Sequence, residues 1–146
     1  MSSKTYGIIF DAESVKAILA GMKSETRRLR ENPWRVGDLL YIKEAWLNLD
    51  DMGHERECRV VYRATEPIKH VRWRSPMFMP KWAARPIRLR VVAKWQEPLQ
   101  AITEEGARAE GVEGRGAYIE RWNLLHPDRP FETNPMVWVT RWEVLE

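Results

Sequence analysis

Two short stretches hold residue types that could do chemistry together. The first, Gly21-Met-Lys-Ser-Glu-Thr-Arg-Arg28, packs a lysine, two hydroxyls, a carboxylate and two guanidiniums into eight residues. Lys23 follows a helical pattern, where an ammonium complements the negative end of the helix dipole; Thr26 and Arg28 would also serve as an ordinary strand face. The second is Glu110, placed in the last turn of a helical pattern just before Gly111. An acid there is disfavoured by about 0.3–1 kcal/mol, so either a nearby lysine holds it or it is a surface glutamate with a trivial penalty. The histidines, His54, His70 and His126, are widely separated, and none has a Cys or Asp partner at ligand spacing, so neither a metal nor a cofactor is expected. Glycine-rich phosphate loops are missing, and Cys58 lacks the signature of an activated thiol. Acid–base work in this chain would fall to lysine, glutamate or hydroxyl groups.

A different kind of signal runs from Pro67 to Gln96, which contains no Asp or Glu. It holds Lys69, Arg72, Arg74, Lys81, Arg85, Arg88, Arg90 and Lys94, with Trp73, Trp82 and Trp95 among them. Cations interleaved with aromatics form the footprint of a groove that tracks a phosphate backbone and stacks bases. The competing reading is a solvated basic face over tryptophans that belong to the core, and each tryptophan taken singly favours core. Thirty residues without one acid favour a polyanionic partner, RNA or another single strand, with Arg27, Arg28 and Arg30 lining the same groove.

The elements that must position these residues follow from periodicity. Thr5–Phe10 reads as a strand, and Asp11 as the N-cap of a helix carrying Val15, Ile18, Leu19 and Met22 at helical spacing. Gly21 stops that helix, and residues 26–30 form a strand with Thr26, Arg28 and Arg30 on one face. Leu39–Trp46 and Arg59–Ala64 are strands separated by a polar loop, Asn48–Glu57. Residues 65–85 read as a basic, Trp-rich loop insertion. In the strand that follows, Ile87, Leu89, Val91, Ala93 and Trp95 alternate with Arg88, Arg90, Val92 and Lys94, which sets Arg88 and Arg90 about 7 Å apart on the outer face. Helices near Thr103–Glu110 and Ala117–Leu125 precede a last strand, Met136–Leu145, with Met136, Trp138, Trp142 and Val144 on one face.

The chain has 146 residues and one cysteine, with a pI near 9.2, which fits one soluble, cytoplasmic domain over 1–146 with no disulfide and no membrane span. No secretory leader is expected at its N-terminus. Strands and helices do not alternate as in a parallel α/β fold, so the class is α+β, drawn as a small barrel with flanking helices.

The pattern Gly21-x-Lys23-x-x-Thr26-x-Arg28 after an amphipathic helix resembles the signature of ASCH domains, relatives of the PUA RNA-binding barrel. Val36-Gly37-Asp38 before a strand, the segment 99–111 and the strand around Trp138–Val144 fall in the order that family shows. Glu44-Ala45-Trp46 and the run from Met79 to Arg85 resemble longer members found in phages and prophages. Many members carry a glutamate where this chain has Thr26; the threonine form is similar to small bacterial amidohydrolases that deacetylate N4-acetylcytidine. The resemblance implies Lys23, Thr26 and Glu110 as catalytic residues. Thr26 would be the nucleophile, Lys23 its base, and Glu110 an orienting or proton-relaying group, with Arg28 or a backbone N–H at the oxyanion. The implied partner is RNA, a single strand or a modified nucleoside. The alternative is a non-catalytic interaction or assembly factor whose tryptophans meet another protein.

Overall fold

The computed structural model describes residues 3–49 and 59–146. His54, Cys58 and most of the expected polar loop lie outside them. Strand β1 (Thr5–Ile9) leads into helix α1 (Ala12–Leu19), whose N-cap is Asp11: its carboxylate accepts the Ser14 N–H at 2.8 Å. Val15 and Ile18 go to the core. Leu19 and Met22 stay exposed, because the helix ends at Leu19 and Gly21 turns the chain with φ +75°. Strand β2 (Glu25–Arg28) follows, shorter than the expected 26–30, so Arg30 falls in the bend beyond it.

Strand β3 (Leu39–Lys43) does not run on to Trp46, since the buried Glu44 interrupts it. Trp46 opens β4 (Trp46–Asn48), which pairs with β5 (Val60–Tyr62) in a separate two-stranded sheet. The segment 65–85 contains single 3-10 turns at Pro76–Phe78 and Lys81–Ala83, and Met79 and Ala83 from it pack on Trp46. Strand β6 (Arg88–Pro98), helix α2 (Glu104–Ala109), helix α3 (Arg115–Leu125) and strand β7 (Met136–Leu145) complete the chain.

The main sheet has the order β1-β3-β6-β7-β2, with β1 parallel to β3 and the other pairs antiparallel. The architecture is α+β, but the sheet is not closed into a barrel: among the described residues β1 and β2 are its two margins. What crosses between the margins is a side chain. The Arg28 guanidinium of β2 donates to the Ile9 carbonyl of β1 at 2.5 Å.

Two cores form on the long β6–β7 pair. Ile8, Val15, Ile18, Leu40, Ile42, Leu89, Val91 and Trp142 make one, beneath α1. Leu99, Ala107, Tyr118, Trp122, Val137 and Val139 make the other, beneath α2 and α3. Because alternate strand residues face opposite ways, β7 buries Val137 and Val139 on one side and Thr140 and Trp142 on the other. The face shared by Met136, Trp138, Trp142 and Val144 is therefore no continuous buried stripe; Met136 and Val144 are exposed. The register of β6 against β7 shifts between Val91 and Ala93, a bulge that also ends the simple alternation in β6.

Candidate active site

Lys23 and Glu110 come from residues 87 positions apart and meet as an isolated antiparallel bridge. Backbone bonds fix that meeting. The Lys23 N–H donates to Ala17 O at the end of α1, Ser24 N–H to Ala109 O at the end of α2, and Trp142 N–H to Ser24 O. Gly111 turns α2 off with φ +94°, and a Cβ there would stand 3.0 Å from Ala17 Cβ and 3.2 Å from Lys23 Cβ, so glycine permits both the turn and the close approach.

Lys23 is 5% exposed, and its Nζ donates to the Glu110 carbonyl at 2.9 Å and to Glu110 Oε1 at 3.2 Å. The other Glu110 oxygen accepts from Arg27 at 3.3 Å, and Arg27 also reaches Glu25 and Glu97 at 3.4 Å. A buried charge needs such partners to offset its lost hydration. Burial pushes the Lys23 ammonium below its ordinary pKa, with Glu110 pulling part of the way back. Burial alone would raise the Asp11 carboxyl, but hydrogen bonds from Ser14 and the charges of Arg121 and Lys23 hold it below the usual range.

Thr26 lies in β2, buried, opposite Thr140 of β7, and its hydroxyl oxygen accepts from Arg28 Nε at 3.5 Å. Lys23, Thr26 and Glu110 line one cavity of about 710 Å³, together with Arg27, Arg28 and Arg30. The sequence pattern had not pointed to the rest of its wall: Phe10, Asp11, Trp34, Tyr118, Arg121 and Trp122. Tyr118 and Arg121 sit three apart on α3, a spacing that puts both on one face but signals no chemistry by itself. Arg121 donates to Asp11 at 2.6 Å and so ties α3 to the start of α1. Burial raises the Tyr118 phenol pKa, keeping it a hydrogen-bond donor at ordinary pH. Lys23 and Arg28 stand over the Phe10 ring at 5.8 and 5.2 Å.

The basic strand is placed differently from expectation. Arg85 forms a two-pronged pair with Glu44 at 2.7 and 3.0 Å and also donates to Thr65. Arg88 caps the carbonyls of Arg85 and Ile87, and Arg90 pairs with Glu143. Lys94 donates to Asn32 O and Trp34 O, both at 2.9 Å. Like the buried Arg27, these cations each have a partner within the fold. The acids missing from 67–96 are supplied across the sheet, by Glu44 from the end of β3 and Glu143 from β7. Arg72, Trp73 and Arg74 instead line a separate cleft of about 440 Å³ with Trp46, Ser75 and Phe78, while Lys81 and Trp82 are exposed on the same segment.

Among the described residues no helix is long and apolar enough to cross a membrane. Comparison with protein-family models, curated proteins and solved structures gives no match to this chain.

Proposed function

We propose that this chain is an ASCH-like amidohydrolase that removes the acyl group from an N4-acylated cytosine nucleoside. The observation that carries the reading is a lysine 5% exposed, held by a carboxylate that a second buried cation shares, in a cavity that also presents a threonine hydroxyl. The cavity, about 710 Å³, lies within the range of small-ligand sites, and Phe10, Trp34 and Tyr118 give it aromatic walls for a base. The PUA-like arrangement of this open sheet belongs to the same proposal. The hydrogen bond from the Arg28 guanidinium of β2 to the Ile9 carbonyl of β1 supports it, because it links the two margins of the sheet.

In this reading neutral Lys23 takes the Thr26 hydroxyl proton as Oγ attacks the acyl carbon. Arg28, already donating to that oxygen, eases loss of the proton and faces the developing oxyanion. The carbon–nitrogen bond breaks as the leaving amine receives a proton from the Lys23 ammonium, with Glu110 steering that ammonium. Water, deprotonated by Lys23, then cleaves the threonine ester, and the Lys23 ammonium returns that proton to the departing Thr26 Oγ. The net reaction consumes one water and releases cytidine and a carboxylic acid.

The test is turnover of N4-acetylcytidine, free and within a short RNA, followed chromatographically. Wild type is expected to release acetate. Lys23→Ala and Thr26→Ala are each expected to lose about 100- to 10,000-fold in kcat/KM with an unchanged circular dichroism spectrum. A wild type that leaves both substrates intact overturns the proposal.

A further inference from the structure

The segment between β5 and β6 exposes large apolar side chains that the cores leave unused. Phe78 is 81% exposed and Trp82 64%, with Met77 also open. Such side chains, side by side on one short segment, cost hydration unless something covers them. Phe78 lines a cleft of about 440 Å³ with Trp46 and Trp73, where the charged lining residues are Arg72 and Arg74. Trp82 meets Trp46 edge-on at 6.0 Å, and Arg74 lies 5.0 Å over the Trp46 ring. Trp46 is itself buried, and its indole N–H has no hydrogen-bond partner among the described residues. Arg72 and Lys81 are exposed and make no ion pair among the described residues.

We infer that this cleft is a second binding site, for an unpaired nucleotide of a single-stranded nucleic acid. A base, which has a π-face whatever its identity, would lie against Phe78 and Trp73, the next would stack on Trp82, and the connecting phosphate would meet Arg72 and Lys81. Aromatic faces with cations, and no carboxylate among the described lining residues, suit a base-plus-phosphate ligand better than an apolar protein surface. The site is separate from the Lys23 cavity and stands or falls without it.

The experiment is fluorescence anisotropy with short labelled single-stranded RNA, single-stranded DNA and duplex DNA. Single strands are expected to bind better than duplex. Phe78→Ala and Trp82→Ala should each weaken binding roughly 5- to 100-fold. Arg72→Ala should flatten the salt dependence, which for one or two phosphate contacts amounts to about three- to sevenfold between roughly 50 and 200 mM salt. Lys23→Ala should bind as wild type does, whatever the outcome of the turnover assay. Preference for RNA over DNA would place the 2′-hydroxyl in the recognition, and equal binding would limit it to base and phosphate; either supports the site. Failure to bind single strands, equal affinity for duplex, or no effect of Phe78→Ala and Trp82→Ala overturns it. So does a self-association abolished by Phe78→Ser with nucleic-acid binding unaltered, which would make the patch a protein interface.

Discussion

Lys23 is pulled two ways, by burial toward the neutral amine and by Glu110 toward the ammonium, and burial prevails. If neutral Lys23 is the base, kcat/KM falls as pH drops through its depressed pKa. Glu110→Gln removes the carboxylate that retains the proton, so the acid limb should move to lower pH; a shift upward would sink the assignment. The same depression makes stability depend on pH. Between the folded pKa and 10.5 the unfolded chain binds the extra proton, so this lysine makes stability rise with pH across that window. Lys23→Met is expected to abolish turnover while holding stability within about 1 kcal/mol or raising it, because Glu110 keeps Arg27 and an apolar side chain suits the buried site. The arginines divide by burial in the same manner. Arg85→Ala strands Glu44, which is 1% exposed, and should cost about 3–5 kcal/mol, whereas Arg90→Ala loses an exposed pair worth about 0–1 kcal/mol. Urea midpoints of the two variants check this ordering. Residue types alone displayed Lys23, Thr26 and Glu110 as reactive groups, and the awkward placement of Glu110 at a helix end hinted at a cation beside it. They gave no sign that Arg85 and Arg90 would find their acids on other strands, since a charge count along the chain is blind to cross-sheet partners.

At the scale of elements, two glycines offer a controlled comparison. Gly21 and Gly111 both have positive φ, but a Cβ at Gly21 meets nothing within 4 Å while one at Gly111 presses on Ala17 and Lys23. Gly21→Ala should cost about 1 kcal/mol from backbone strain and leave turnover intact. Gly111→Ala should cost about 1–3 kcal/mol and lower turnover as well, by displacing Lys23 from Glu110. Thermal melts paired with activity measurements separate the two, and equal effects on turnover would refute the positional argument. Elements with a clean period and a cap, such as α1 behind Asp11 or the first half of β6, were readable from the chain. The bulge at Val91 and Ala93 was not, because one inserted residue exchanges the faces without altering composition. Nor were the 3-10 turns at Pro76–Phe78 and Lys81–Ala83, whose three residues are too few to display a period.

For the molecule as a whole, the β6–β7 pair belongs to both cores, so neither core can come apart while the other keeps that pair intact. Trp142 reports one core and Trp122 the other. Urea unfolding followed by tryptophan fluorescence and by far-ultraviolet circular dichroism is expected to give coincident transitions, and two separated midpoints would show that the cores melt independently. The α+β class was legible from the order of strands and helices, but the path of the sheet was not. Whether β1 and β2 pair depends on curvature that no single strand encodes.

That open seam bears on how the protein behaves at high concentration. An unpaired strand margin is a template on which a second chain can add a strand, the usual first step toward aggregation. Here one margin is four residues long, reads Glu-Thr-Arg-Arg and keeps Glu25, Thr26 and Arg27 buried, so it offers a newcomer little apolar backbone to copy. The other is five residues long, and its last carbonyl is already occupied by the Arg28 guanidinium. Each margin thus shields the other, and the gap between them is too short to recruit a neighbouring chain.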